Sequence, residues 1–313
     1  MNQQEKLYFA DDVIAGLSAS HRSIPCKYLY DERGSALFEG ICDTEDYYVT
    51  RADIALHEAH RGEIAEAIGP NTHIIELGSG AGIKIRIILE DSHPRAYTPI
   101  EISGEALAQS VTELSKQFPA LDIRPLQADY TKPIPDEALT LDPPARHRVV
   151  YFPGSTISNF THTEAHEFLT RMARIAGPGG GVLIGVDLVK SADRLKRAYD
   201  DSEGVTAAFN TNLLRRLETD LGAKLERDAF EHRAIYNDDR QRIEMHLVAT
   251  RPTSIELDER RFEFTAGDSI HTENSHKYSI EGFRKLVRGT GLHPVTTWTD
   301  PEGLFSMHYL ETD

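Results

Sequence analysis

At 313 residues, with 34 Lys and Arg against 50 Asp and Glu, the chain carries a formal charge of −16, a surface that repels phosphate backbones and disfavours nucleic acid as a partner. Its 40% apolar content supports one large core or two modest ones, and no segment reaches the length of a membrane span. The start Met1-Asn-Gln-Gln-Glu-Lys6 lacks the basic region and apolar run of a signal peptide, and the isolated Cys26 and Cys42 point to a reducing compartment, so a cytoplasmic protein is expected.

Residues 7–18 alternate like a short amphipathic helix, and the segments 24–31 and 34–41 follow. Tyr28, Tyr30 and Tyr47 lie close to acidic residues, an arrangement that half-buried tyrosines with wet hydroxyls also explain. Tyr47-Tyr48-Val-Thr-Arg51 leads into a helix through about residue 67. The apolar run 73–77 predicts a buried parallel strand, and Gly78, Gly80 and Gly82 then turn the chain into the helical run 83–89. Strand, glycine turn and helix make the first unit of a doubly wound α/β domain with a ligand at the turn. A dinucleotide fingerprint wants a small residue where Ile83 stands, and no Gly-Lys-Ser/Thr follows to make a P-loop. Instead an acid precedes the glycines, in Glu76-Leu-Gly78-Ser79-Gly80-Ala-Gly82, an order that resembles motif I of the S-adenosylmethionine-dependent methyltransferases. A purely structural tight turn is the alternative.

Residues 97–103 read as the second strand, ending at Glu101, on the order of 20 residues beyond the glycines, where such folds place a carboxylate on ribose hydroxyls. A helix over 103–117 and a third strand over 123–128 follow, the latter closed by Asp129-Tyr130, an acid and an aromatic that suit an adenine ring. The fourth strand, 148–153, runs into Gly154-Ser-Thr-Ile-Ser158-Asn159-Phe160, a loop placed to line the reaction site. Thr161-His-Thr-Glu164 predicts a capping box opening the next helix, and 182–188 is the fifth strand. The alternation then breaks. Two helical patterns (192–201 and 205–221) precede strand-like stretches at 230–237, 242–250, 254–257 and 261–265, best read as part of a second, α+β domain. From residue 279 a helix, a strand at 293–298, a turn at 300–303 and a strand at 304–310 resume the first domain. The fourteen histidines are scattered, so no metal site is expected.

These segments together resemble the histidine Nα-methyltransferases of ergothioneine biosynthesis. The matching stretches are Lys27-Tyr-Leu-Tyr30-Asp31, Tyr47-Tyr48-Val-Thr-Arg51, Glu76-Leu-Gly-Ser-Gly80 and Gly154-Ser-Thr-Ile-Ser-Asn159. They continue with Asp187-Leu-Val-Lys190, Arg197-Ala-Tyr199-Asp-Asp201, Gly204-Val-Thr-Ala-Ala-Phe-Asn210 and Arg242-Ile-Glu-Met245, and end with Thr272-Glu273-Asn-Ser275 and Trp298-Thr-Asp-Pro301. The resemblance implies a Rossmann-like class I methyltransferase sheet, formed by residues 50–189 plus 278–313, and a substrate-binding domain formed by 1–49 plus 190–277. It implies S-adenosylmethionine as cofactor, held by Gly78, Ser79, Gly80, Lys84, Glu101, Asp129 and Tyr130. L-Histidine and its mono- and dimethyl forms are the implied substrates. Tyr47, Asn159 and Tyr199 would hold the amino acid's carboxylate and amino group, with Tyr30 near the reacting nitrogen. Tyr30 and Asn159 are thus the implied catalytic groups. Glu273 and Ser275 would grip the imidazole, and Met245 and Phe38 would wall it. Glu101 stands where the family commonly has aspartate, and Ser158 where it commonly has glycine.

The implied reaction is methyl transfer to the α-nitrogen, repeated to the trimethyl betaine hercynine. No strong base is evident, which leaves Tyr30, or a water it holds, to pass the proton out. A monomer is favoured. The rival readings are a methyltransferase of the same build acting on another amino acid such as tryptophan, and a non-catalytic sensor of the cofactor.

Overall fold

The computed structural model describes residues 3–313; Met1 and Asn2, part of the start read above as lacking a signal, lie outside the described residues. The chain divides into two units, Met1–Tyr48 with Lys190–Lys277, and Val49–Val189 with Tyr278–Asp313.

The second of these is built on an eight-stranded sheet. His73–Leu77 is buried at every position, as an interior parallel strand requires, and pairs in parallel with Ala96–Glu101 on one side and Arg148–Phe152 on the other. Gly181–Asp187 adds in parallel to Arg148–Phe152, and the hairpin Leu292–Thr299 and Phe305–Thr312 closes that edge antiparallel. The chain thus winds outward from His73–Leu77 and returns on its other side. The strand order reverses just beyond Leu77 and Phe152, where open α/β sheets bind ligands. Ile75, Leu77, Val150, Phe152, Val182 and Ile184 form the sheet's share of a core completed by Phe168, Leu169 and Met172. Those three come from the helix His162–Ala176, which opens with the expected capping box: Thr161 Oγ1 accepts from the Glu164 N–H, and Glu164 Oε2 accepts from the Thr161 N–H.

One expected strand is broken in two. Asp122–Ile123 and Leu126–Gln127 both pair with Ala96–Glu101, and their shared register sets Pro125 opposite Pro99. Pro99 has no N–H to donate to the outer strand, so the ladder lapses at that rung and resumes beyond it.

The other unit holds the helices Gln3–Ser18, Glu32–Asp43, Ala192–Tyr199 and Val205–Leu221. It also holds two antiparallel three-stranded sheets. Arg242–Ala249 is the centre of one, between Phe230–Asn237 and Ser269–His276. Thr253–Leu257 is the centre of the other, between Arg260–Phe264 and the short Lys224–Leu225. The strand Ser269–His276 was not among the elements expected from the sequence. Its residues, Ser-Ile-His-Thr-Glu-Asn-Ser-His, are almost all polar, yet Ile270, Thr272, Glu273, Ser275 and His276 are buried.

Candidate active site

The glycine turn is held by backbone bonds to the neighbouring strand: the Gly78 and Ser79 N–H groups donate to the Ile100 carbonyl at 2.8 and 3.2 Å. Gly78 has φ 75°, and a Cβ there would sit 3.1 Å from the Tyr130 ring. Tyr130 is itself packed on Phe152 and Phe168, with ring centroids 5.6 and 5.9 Å away. Over Gly80 a Cβ would meet nothing within 4 Å, so its backbone is bare to an incoming ligand. The Ser79 hydroxyl is buried with no protein partner. Glu101 reaches back across the turn: Oε2 accepts from the Gly80 N–H at 3.1 Å, while Oε1 accepts from the N–H groups of Ile102 and Ser103 at 2.9 and 3.2 Å. Asp129 Oδ1 accepts from the Thr131 N–H and hydroxyl at 2.8 and 2.5 Å, which fixes the carboxylate. Exposed Ile83 and Ile102 add apolar surface beside these polar groups.

Lys84 is engaged by a residue the sequence reading missed. Its Nζ donates to Asp53 Oδ2 at 2.9 Å, and the same oxygen accepts from the Gly154 N–H at 2.9 Å. Asp53 is fully buried, and so is His57, whose Nδ1 lies 3.2 Å from Asp53 Oδ1. His57 Nδ1 also donates to the Asp53 carbonyl at 2.7 Å, which leaves Nε2 to accept from the Tyr151 hydroxyl at 2.6 Å. Burial alone would raise the Asp53 carboxyl, but Lys84 and His57 outweigh it and hold it well below the usual carboxylate range. A signal was available. In the helix Val49–Ile68 the buried positions include Val49, Ala52, Leu56 and Ile64, and Asp53 and His57 take core places among them. Glu76 behaves oppositely. It is buried against the Tyr97 hydroxyl, and burial pushes it up to about 8.

Asn159 ends the short helical turn Thr156–Asn159. The Ser158 departure has a structural account. Its hydroxyl is 2.5 Å from that of Ser155, which accepts from the Asp187 N–H at 2.7 Å and so clips the loop to the neighbouring strand.

In the other unit, Tyr30, Phe38, Tyr47, Tyr199 and Phe209 form one aromatic cluster. Ring centroids are 5.6 Å apart for Tyr30–Phe38, 6.3 Å for Phe38–Tyr47 and 6.0 Å for Tyr47–Tyr199. Phe209, absent from the expected site, supports both Tyr30 and Phe38, at 5.3 and 6.1 Å. Burial raises the Tyr47 phenol, and Tyr199 adds to the rise, so Tyr47 stays a donor. Asp31 caps the helix bearing Phe38 by accepting from the Gly34 N–H at 2.7 Å. Tyr199 is fixed through its backbone: Thr272 donates to Asn210, Asn210 Nδ2 to His232 Nδ1, and His232 Nε2 to the Tyr199 carbonyl, at 2.7, 2.9 and 2.8 Å.

Met245 and Glu273 are direct cross-strand partners and so share a face of their sheet. Glu273 is buried, its Oε2 lacks a protein partner, and burial, opposed by Lys277, pushes the carboxyl up to about 7. Ser275 lies two residues on. The sequence assigned Tyr199 and Ser275 to opposite ends of an amino acid; the structure places their hydroxyls 2.6 Å apart. Lys277, also missed, donates to both. Among the described residues no cluster suited to a metal ion occurs.

The profile of the family described as "Histidine-specific methyltransferase, SAM-dependent" matches residues 9–312. The chain is 37% identical over 305 residues to the histidine N-alpha-methyltransferase of Mycolicibacterium smegmatis, covering 95% of this chain and 92% of that protein. It is 31% identical over 288 residues to ergothioneine biosynthesis protein 1 of Neurospora crassa, covering 89% of this chain but 32% of that longer protein. In fold it is similar to the CcbJ methyltransferase of Streptomyces caelestis, with a TM-score of 0.50 and 11% identity over 82% of this chain and 96% of that one. With a profile match along nearly its whole length, the chain belongs to the family of histidine-specific, S-adenosylmethionine-dependent methyltransferases.

Proposed function

We infer that the protein methylates the α-amino group of L-histidine, successively to the trimethyl betaine hercynine, in ergothioneine biosynthesis. The observation that carries this is the 37% identity to a histidine N-alpha-methyltransferase over 95% of the chain. When bound, S-adenosylmethionine supplies a methyl group activated on a sulfonium. The glycine turn fits such a group: a bare backbone at Gly80, an unpartnered Ser79 hydroxyl and an acid already oriented at Glu101.

The remaining work falls to this chain's side chains. Glu273 would accept one imidazole N–H and Ser275 would meet the other nitrogen, with Met245 and Phe38 as walls. Tyr47, held protonated by burial, would donate to the substrate carboxylate, with Tyr199 beside it at the amino-acid end and the Asn159 amide orienting the amine. Such holding supplies the alignment that a methyl transfer needs. The α-ammonium must lose a proton before it has a lone pair, and Tyr30 would pass it on as a weak base. Each transfer removes an N–H and builds toward a quaternary ammonium, which donates nothing but is attracted to aromatic faces. The rings of Tyr30, Phe38 and Tyr47 would suit it.

A monomer acting in the cytoplasm is the form we propose; among the described residues no helix is long and apolar enough to cross a membrane. Incubation with labelled S-adenosylmethionine and each amino acid, followed by mass analysis, tests the reading. Hercynine from L-histidine is the expected product. Methyl transfer to another amino acid, or to none, would overturn it.

Glu101→Ala removes the acid proposed for the ribose and also frees the Gly80 N–H from its present partner. Bonds to a charged group contribute about 1.5–3 kcal/mol each, so affinity for S-adenosylhomocysteine should fall by at least about tenfold. Calorimetric titration reads it, and unchanged affinity would mean that another group holds the ribose.

A further inference from the structure

The strand Ser269–His276 carries Glu273 and Ser275 two residues apart, and the next position of that parity is Lys277, just past the strand's end. Lys277 is only 3% exposed, an amine almost wholly withdrawn from water. Its Nζ lies 2.7 Å from Ser275 Oγ and 3.0 Å from the Tyr199 hydroxyl oxygen, and 4.6 Å from the centre of the Tyr199 ring. The two hydroxyls are 2.6 Å apart. An ammonium has three donors and no acceptor, so both oxygens take a hydrogen from it, and one more hydrogen lies between them. The phenol is the more acidic hydroxyl, and a cation on its oxygen makes it the better donor still. Tyr199 therefore donates to Ser275. Ser275 Oγ then accepts twice, which uses its lone pairs, and its own hydrogen is what remains to offer.

We propose that Lys277 is a positioning residue for specificity: it fixes Ser275 as a donor, so that Glu273 as acceptor and Ser275 as donor read a ring with one N–H and one bare nitrogen. The inference rests on the histidine reading above and narrows it to neutral imidazole. Imidazolium has two N–H groups and no acceptor, while indole and pyrrole have an N–H and no second nitrogen. The Lys277 charge works in the same direction on the acceptor, opposing the burial that drives Glu273 toward its neutral form.

The test compares kcat/KM for L-histidine with that for a β-pyrrolyl-L-alanine, which keeps one N–H and lacks the second nitrogen. In Lys277→Met the preference for histidine should shrink by about tenfold or more through KM, with kcat at saturating histidine changed less than about threefold. Ser275→Ala should shrink it similarly, and the double variant Lys277→Met/Ser275→Ala no further than Ser275→Ala alone. Additive losses, or a preference unchanged in Lys277→Met, would overturn the inference. Should Lys277→Met not fold, Lys277→Arg is read in its place. A guanidinium keeps the charge but cannot set one nitrogen between both hydroxyls, so the same shrinkage is expected and a wild-type preference would overturn the idea. Wild-type protein in the same assay separates the two failures. No methylated histidine from it would sink the functional reading and this inference together, whereas normal wild-type turnover with unaltered variant preferences sinks the inference alone.

Discussion

Glu273→Ala is expected to lower kcat/KM for L-histidine by about 10- to 100-fold, because an imidazole N–H left without an acceptor in a dry pocket forfeits about 1–3 kcal/mol. The site it leaves is more apolar and slightly larger, bounded on one side by Met245, the cross-strand partner of Glu273. Relative activity on tryptophan should therefore rise, and the ratio of kcat/KM for the two amino acids is the measurement. A ratio that does not move would place side-chain selection elsewhere. The same carboxylate should weigh against stability when no substrate is bound. Its folded value of about 7 lies above the ordinary 4.5, so folding favours the protonated form and that advantage is lost as pH rises from 4.5 through 7. Glu273→Gln, which keeps the volume, should gain on wild type in thermal melts over that interval and match it most nearly at pH 5.

Asp53→Ala should be the most damaging single change to the methyltransferase sheet's own unit, at about 3–5 kcal/mol in urea denaturation, because it strands groups built around a buried charge. Asp53 Oδ2 serves both Lys84 and the Gly154 N–H, and its helix neighbour His57 leans on the same carboxylate. Asp53→Asn keeps an acceptor but loses the charge and should fall between. The sign of the pH effect follows from the depressed folded value. Stability from Asp53 is fully present above its ordinary value of 3.8 and is lost as pH falls toward the folded one. The gap between wild type and Asp53→Asn should therefore be flat from pH 7 to 5 and narrow below about 4. A gap that persists unchanged into acid would mean that the carboxylate does its work in neutral form.

Much of the sheet was legible because its signals are local. The run 73–77, the glycines after it and the Thr161–Glu164 box need only neighbours in sequence to be read. The broken third strand was half legible, since Pro125 is visible but its rung opposite Pro99 depends on register. The site divides in the same way. Glycines and acids that end strands stand out, but Asp53 and Lys277 do not, because a buried charge is recognised by partners far along the chain. Gly154 is 101 residues from Asp53, and Tyr199 is 78 from Lys277. The strand Ser269–His276 escaped for a related reason. Its buried face is polar and is stabilised by bonds such as Thr272 to Asn210, so it carries no apolar alternation to find.

The strand Phe305–Thr312, antiparallel to Gly181–Asp187, has a consequence for how the protein is made. Gly181–Asp187 leaves the ribosome more than a hundred residues before its partner exists, with Val182, Leu183, Ile184 and Val186 along an open edge. Until Thr312 has been synthesised that edge is a template for any other nascent strand. A chain stalled before Phe305 would keep every strand-end loop described above and still be prone to pair with its own copies. The closing hairpin thus guards the nascent sheet: that edge is covered only once the strand Phe305–Thr312 has been made.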